Sequence, residues 1–245
     1  MPEGPSIVIL REEAAVFARK TVRAASGNAK LDLDRMKGRR ILAMRSWGKH
    51  FLIQFSGFSL RIHLLMFGTY RINEDKPSPP RVRLEFDSGH LNFYTCSARY
   101  IEGDLDQAYD WEGDVMSAQW NPTKARRKLK ARGEILVCDA LLDQDVFAGV
   151  GNIIKNEVLF RTLIHPCSQI GALPPRKLSA LIREARQYSF DFLEWKRRYV
   201  LRQHWLVHTR RTCPRCGRPL SKAHLGATRR RSFFCEKCQV RYEPA

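Results

Sequence analysis

The sequence predicts an α+β chain of several domains: an N-terminal antiparallel β-sandwich, a helical region, and a small ribbon carrying four cysteines. Three observations carry this expectation. Between Arg40 and Tyr100 apolar and polar residues alternate in short runs separated by turn residues, the signature of half-buried strands. Beyond Thr123 the apolar period becomes helical. The last 33 residues hold Cys213-x2-Cys216, eighteen residues, then Cys235-x2-Cys238. Two pairs at that spacing let four thiolates close tetrahedrally on one Zn²⁺, so one structural zinc is expected. A ribbon of roughly thirty residues buries too little surface to fold alone, and the metal must supply much of its stability.

The elements follow in chain order. Ile7, Leu10, Ala14 and Phe17 recur at helical spacing after Pro5 and Ser6, which suit a helix start. His50 to Phe55, the turn Ser56-Gly57 and Phe58 to Leu65 read as one hairpin. Arg81 to Phe86, Asp87-Ser88-Gly89 and His90 to Tyr94 read as another. In all, about eight short strands are expected in the sandwich. Domain limits are expected at 1–104 for the sandwich with its first helix, 105–122 for a linker, 123–208 for the helical domain and 209–245 for the finger. Within 123–208, Lys124 to Arg132 carries six basic residues, as a solvated face or one that contacts a phosphate backbone. Glu134 to Asp145 reads as a helix, Phe147-Ala148-Gly149-Val150-Gly151 as a turn, and a second helix opens at Asn152. A helix opening at such a corner can bind an anion, although a glycine-rich turn between packed helices explains the pattern equally.

Lys and Arg number 43 against 25 acidic residues, a formal charge of +18 spread along the chain. That is the footprint of a polyanion binder, with DNA or RNA the expected polyanion. No apolar run reaches the roughly 20 residues of a membrane span and no signal-peptide pattern opens the chain, so a soluble, cytoplasmic protein is expected. Cys96, Cys138 and Cys167 are isolated from the two pairs and read as reduced core thiols.

The first residues, Met1-Pro2-Glu3, carry no signal in isolation. Removal of Met1 would leave Pro2 as a secondary amine, and an α-amine of pKa about 8 is nucleophilic at neutral pH where a lysine of about 10.4 is not. Its attack on a sugar C1′ would give an iminium and acidify the C2′ proton. Glu3 stands next to it as a candidate proton donor.

The start MPEGP, the strand motif GKHF at 48–51, HLLMFG at 63–68, LLDQDVFAGVGNIIKNEVLFRTLIHP at 141–166 and the four-cysteine finger with Arg230 five residues before Cys235 together resemble the formamidopyrimidine-DNA glycosylase/endonuclease VIII family. The resemblance runs from residue 2 to 238 in the family's order. It implies a helix-two-turn-helix domain between the β-sandwich and the finger, with damaged DNA gripped in the cleft between the halves by a monomer. Pro2 then resembles the Schiff-base nucleophile, Glu3 the proton donor and Lys49 a lysine near the active site. Asn152 and Arg230 resemble the pair that clamps the phosphates flanking the lesion, and His63 a phosphate-contacting histidine. Leu65, Met66 and Phe67, which composition alone would send to the core, resemble residues that intrude into the duplex and fill the gap left by a flipped nucleotide. Arg99 and Tyr100 are placed loosely beside them, in the next loop. Glu157 resembles a glutamate retained near the site.

Two departures matter. Ser6 stands where the family carries a second acidic residue, which makes elimination less certain than base removal. The chain also passes from the helical stretch Leu178 to Leu193 to Trp205 without the long Gly/Thr-rich loop that caps an everted 8-oxoguanine. This leans toward the endonuclease VIII branch and oxidised pyrimidines. The competing expectations are an 8-oxoguanine/formamidopyrimidine glycosylase, and a zinc-ribbon nucleic-acid binder without catalysis.

Overall fold

The structure is a computed structural model and describes residues 2–244. It divides after Asp110 into two compact units. The first opens with α1 (Gly4–Ala14), where Pro5 occupies the first turn and Ile7, Leu10 and Ala14 are buried. Six strands follow: β1 (Ala24–Ser26), β2 (Ala43–Trp47), β3 (His50–Gln54), β4 (Phe58–Ile72), β5 (Val82–Phe86) and β6 (Gly89–Glu102). They form one antiparallel sheet in the order β1-β5-β6-β4-β3-β2.

The count differs from the eight short strands expected because β4 and β6 run through both halves of the sheet. Their ladder pairs Phe58 through Leu64 with Glu102 through Cys96, breaks, and resumes from Thr69 opposite Tyr94. One half therefore holds β2, β3 and the first part of β4. The other holds β1, β5 and the end of β4, and β6 serves both. Apolar residues of both halves, among them Phe51, Ile53, Leu60, Val82, Leu91 and Phe93, share one core with α1.

The expected linker is structured. It contains α2 (Leu105–Ala108), capped by Asp104 through the backbone N–H of Asp106 at 2.9 Å, and a 3-10 turn at Trp111–Gly113. Val115 enters the core of the second unit.

That unit carries α3 (Pro122–Lys130), α4 (Val137–Ala140), α5 (Asn152–Thr162) and α6 (Pro175–Arg197), then the finger hairpin β7 (Ser221–Leu225) and β8 (Arg230–Phe234). Asn121 caps α3, its Oδ1 accepting the N–H groups of Thr123 and Lys124 at 3.1 Å. The helix expected over 134–145 is cut to the single turn of α4. Asp143 ends it: its carboxylate takes the N–H of Asp145 at 2.9 Å, and its carbonyl takes the N–H groups of Val146 and Phe147. The Gln144 amide then cross-ties the turn, donating to the carbonyls of Leu142 and Val150 and accepting from Gly149 N–H. α5 begins at Asn152 as expected and ends at Leu163, whose φ of 58° gives a left-handed stop. α6 extends the expected Leu178–Leu193 stretch at both ends. Among the described residues no helix is long and apolar enough to cross a membrane.

Candidate functional site

The candidate residues fall into two sets, one in each unit. In the first unit Pro2 and Glu3 lead directly into α1. Glu3 is the N-cap with extended backbone, its carbonyl accepts Ser6 N–H at 2.8 Å, and it is 1% exposed. Ser6 thus lies in the first turn of α1 beside Glu3. α1 packs on β2 and β3, the strands joined by the Gly48-Lys49 turn. A two-residue hairpin of this kind needs positive φ at its first position, and Gly48 supplies 53°.

His63 lies on β4 directly across from His50 on β3, with ring centroids 5.4 Å apart and edge to face. His50 Nδ1 is 3.2 Å from the Tyr109 hydroxyl, and Trp47, its neighbour on β2, donates Nε1–H to the Asp110 carbonyl. Alternation along β4 places Arg61 on the same face as His63, and Arg61 pairs with Arg99 on β6. Burial, followed by the charges of Arg61 and Lys49, lowers the His63 pKa; burial and Arg61 lower that of His50 to about 3. Both imidazoles are neutral at pH 7, which leaves His63 one N–H to donate, and the positive charge around them is that of Lys49, Arg61 and Arg99. The sequence reading did not assign Arg61, although its position two residues before His63 on a strand placed it on the same face.

Leu65, Met66 and Phe67 occupy the break in the β4–β6 ladder. Four residues, 65–68, stand opposite the single residue Thr95, whose φ is 51°. The excess chain is pushed outward, leaving Leu65 43%, Met66 51% and Phe67 80% exposed. Gly68 closes the bulge: a Cβ there would lie 2.7 Å from both Leu65 N and Thr95 O. Three adjacent apolar side chains held out in this way are available to a ligand and contribute little to the core. Arg99 and Tyr100 do not sit beside them in a loop, as the loose placement had it. They pair with Arg61 and Leu60 within the β4–β6 ladder, and the Tyr100 hydroxyl donates to the Asp32 carbonyl at 2.6 Å.

In the second unit, α5 and the finger are joined side by side. Asn152 Nδ2 donates to the Arg231 carbonyl at 3.0 Å, while its Oδ1 is buried without a hydrogen-bond partner. One turn on, Lys155, fully buried, donates to Ser232 Oγ at 2.8 Å, and Asn156 Oδ1 accepts the N–H of Phe233 at 3.2 Å. These contacts fix β8 relative to the start of α5, so that exposed Arg230 and Asn152 are carried on one rigid body. The hairpin tip is tied separately. Asp139 on α4 accepts the N–H groups of Ala227 and Thr228 at 2.9 and 3.0 Å and the Thr228 hydroxyl at 2.8 Å. Glu157, fully buried, takes the N–H groups of Leu206, Val207 and His208 at 2.9, 3.0 and 2.8 Å. The structure gives it an anchoring role in the segment that enters the finger. Asp139, Lys155 and Asn156 were not singled out in the sequence, since these partners lie 52 to 89 residues away.

The four finger cysteines converge, with all Sγ atoms within 4.8 Å of one another, Cys213–Cys238 at 3.8 Å and Cys216–Cys235 at 3.5 Å. Four thiolates at about 2.3 Å from one Zn²⁺ stand about 3.8 Å apart, so the donor set fits a structural zinc in both chemistry and spacing. The backbone N–H of Arg218 holds the Cys216 thiol down, to about 7, which favours the ligating thiolate. Phe160 of α5, Val207 and Phe233 pack around Cys213 and Cys235.

The N-terminal domain signature of formamidopyrimidine-DNA glycosylase matches residues 1–100, and the helix-two-turn-helix domain signature of that enzyme matches residues 114–189. The formamidopyrimidine-DNA glycosylase of Geotalea uraniireducens is 30% identical, over 98% of this chain and 100% of its own. The chain belongs to the formamidopyrimidine-DNA glycosylase/endonuclease VIII family. Endonuclease 8-like 3 of Xenopus laevis is also 30% identical, over 89% of this chain, and the chain spans only 38% of that relative's length. The fold agrees with family membership: the Lactococcus lactis formamidopyrimidine-DNA glycosylase, in a crystal structure with DNA containing an abasic site, superposes with a TM-score of 0.86 at 20% identity, covering 98% of this chain and 100% of that one.

Proposed function

We propose that this chain is a bifunctional DNA glycosylase and abasic-site lyase of base excision repair, binding damaged DNA as a monomer in a cytoplasmic, nucleoid-associated setting. The observation that carries this reading is the start of α1, where buried Glu3 directly follows Pro2 in the same unit as the outward apolar tip 65–67. A protein that only bound DNA would have no use for a buried carboxyl next to a prospective terminal amine.

Once Met1 is removed, the Pro2 nitrogen forms a bond to C1′ as the glycosidic bond breaks, and the base leaves with the electron pair and a proton. Glu3 supplies a proton to the sugar oxygen or to the departing base. The sugar ring opens to an iminium, which accepts the electrons released when water takes the C2′ proton, and the 3′ phosphate leaves with the electron pair of the C3′–O bond. Water then hydrolyses the imine and regenerates the amine. Lys49 and His63 hold the phosphate beside the reacting sugar, Asn152 and Arg230 hold the flanking phosphates, and Leu65, Met66 and Phe67 replace the extruded base in the stack. Cys213, Cys216, Cys235 and Cys238 hold one zinc, which supplies structure and takes no part in the chemistry.

Oxidised pyrimidines are the proposed substrates. The segment after α6 is short and the Glu157 carboxylate pins it at 206–208, which leaves little chain there to cap an everted purine. Ring-saturated pyrimidines stack poorly and cost less to extrude, so they need no such cap. Borohydride reduction on an abasic duplex tests the proposal: a covalent adduct is expected with the free Pro2 terminus and none when a residue is retained before Pro2. Equal trapping by both forms would remove Pro2 from the mechanism, and no trapping by either would leave a DNA-binding protein. The same assay on thymine glycol and 8-oxoguanine duplexes reads the lesion, and faster trapping on 8-oxoguanine would assign the purine branch.

A further inference from the structure

The basic segment that opens the second unit is only partly accounted for by binding DNA. Lys124 is spent on Glu112 at 2.9 Å and Lys128 on the Asp145 carbonyl at 2.6 Å. Arg126 instead turns toward α6 and donates to Ser179 Oγ at 2.6 Å. From Ser179, Arg183 and Arg186 follow at intervals of four and three on the same face of α6. Arg186 is fixed by the carbonyls of Val115 and Ser117 at 3.2 and 2.9 Å. Between the two helices lies a groove of about 570 Å³ lined by these three arginines and by Trp120, Ile182 and Phe190, with Arg186 over the Phe190 ring at 5.1 Å from its centroid.

No acidic side chain lines the groove. Buried Asp114 offsets part of the Arg186 charge, and Asp191, one turn beyond, is engaged by Gln187 at 2.8 Å. Glu184 faces Arg161, away from the groove. Arg183 is exposed and has no ion-pair partner among the described residues. Arg126, held by Ser179, and the exposed Arg183 carry charge in excess of the local acids beside aromatic and aliphatic lining residues, and together they define the ligand: carboxylates for the guanidinium groups and one large apolar side chain for the apolar lining. A cavity of this size admits a few side chains. A duplex presents a convex ridge of phosphates and gains little from the indole and phenyl rings that line the groove.

We propose that the groove between α3 and α6 docks an acidic peptide segment of a partner protein, with an aromatic or leucine residue seated against Trp120, Ile182 and Phe190 and flanking carboxylates on Arg126 and Arg183. The groove shares no residue with those assigned to catalysis and to the phosphates, so substitutions in it test independently of the repair activity. The probe is a fluorescein-labelled decapeptide of Glu and Asp with one central Phe, titrated with the full zinc-loaded chain at low ionic strength and followed by polarisation. Arg183→Glu, at an exposed position, is expected to weaken binding roughly tenfold, and replacing the central Phe by Ser to weaken it comparably. Arg127→Glu, a matched charge change on the exposed face of α3, should leave binding unchanged, as should excess abasic duplex. Equal losses with Arg127→Glu and Arg183→Glu would show diffuse attraction to a chain of charge +18 and overturn the proposal. So would tight binding of a Gln/Asn version of the peptide. Displacement by the duplex would assign the groove to nucleic acid.

Discussion

The tip at 65–67 and the finger tip at 226–230 both stand out from the elements that carry them, yet they are held in opposite ways. The first is apolar and owes its position to the main chain alone: both ends continue into a paired strand, and the bulge is closed by Gly68 against Thr95. The second is basic and belongs to a two-stranded ribbon too small to hold itself. It depends on four convergent thiols and on the Asp139 carboxylate reaching across from α4. A tip that is part of a large sheet can dispense with side-chain support, whereas a tip on a minimal ribbon must obtain it from elsewhere.

The largest break in this comparison is Cys235→Ser. Loss of the metal should unfold the finger, release Arg230 and lower DNA affinity by roughly a hundredfold at moderate salt, while the first unit keeps its sheet. Fluorescence anisotropy on an abasic duplex, together with metal analysis, checks it; undiminished affinity in a zinc-free chain would show that the finger is no part of the binding surface. Asp139→Ala comes next and separates tether from metal. It leaves two backbone N–H groups and a hydroxyl without their acceptor and should cost about 2 kcal/mol, with zinc stoichiometry intact and a shallower salt dependence of DNA binding. Unchanged binding would mean the tip is held by zinc alone.

On the other side, Gly68→Ala should destabilise the first unit by about 1–3 kcal/mol, because the new Cβ has only backbone to push against. Phe67→Ala, at the adjacent position in the same bulge, should change stability by less than about 0.5 kcal/mol and yet slow base removal. Urea titration with single-turnover assays separates the two effects, and a stability loss for Phe67→Ala matching that of Gly68→Ala would refute the main-chain account.

Acid sharpens the contrast least, since both units carry histidines that burial holds neutral. Burial lowers His50 to about 3 and His208 to about 4. Below an unfolded pKa of about 6.5 the unfolded chain binds more protons than the folded one, so stability falls as pH drops from about 6.5 toward those values. The loss should be roughly 2 kcal/mol per group once partial exposure is allowed for. His50→Gln and His208→Gln should each flatten urea stability between pH 7 and 5, and an unaltered slope would show that these histidines are not the titrating groups.

Much of this was legible in local spacing. The cysteine pairs and the opening of α5 at Asn152 are fixed by residues within a few positions of one another, whereas Gly48 and Lys49, read as the start of a strand, form the turn between β2 and β3. What was not legible depends on distant partners or on side chains turning back on the backbone. The 134–145 period looked helical, but Asp143 and Gln144 spend their polar groups on the turn instead of leaving it to continue. Eight apparent strands became six because nothing local says that β4 resumes its pairing after an outward bulge. Asp139 finds its role only when the hairpin, 88 residues on, arrives beside it.

Glu157 imposes a different kind of constraint on the chain. All three of its donors are main-chain N–H groups, so this latch is blind to the identity of the side chains at 206–208. Leucine, valine and histidine there answer to packing and to whatever ligand passes by, and the latch would hold other residues equally well. The exception is proline, which has no N–H to offer. One carboxylate therefore sets where the chain enters the finger while leaving the wording of that passage open.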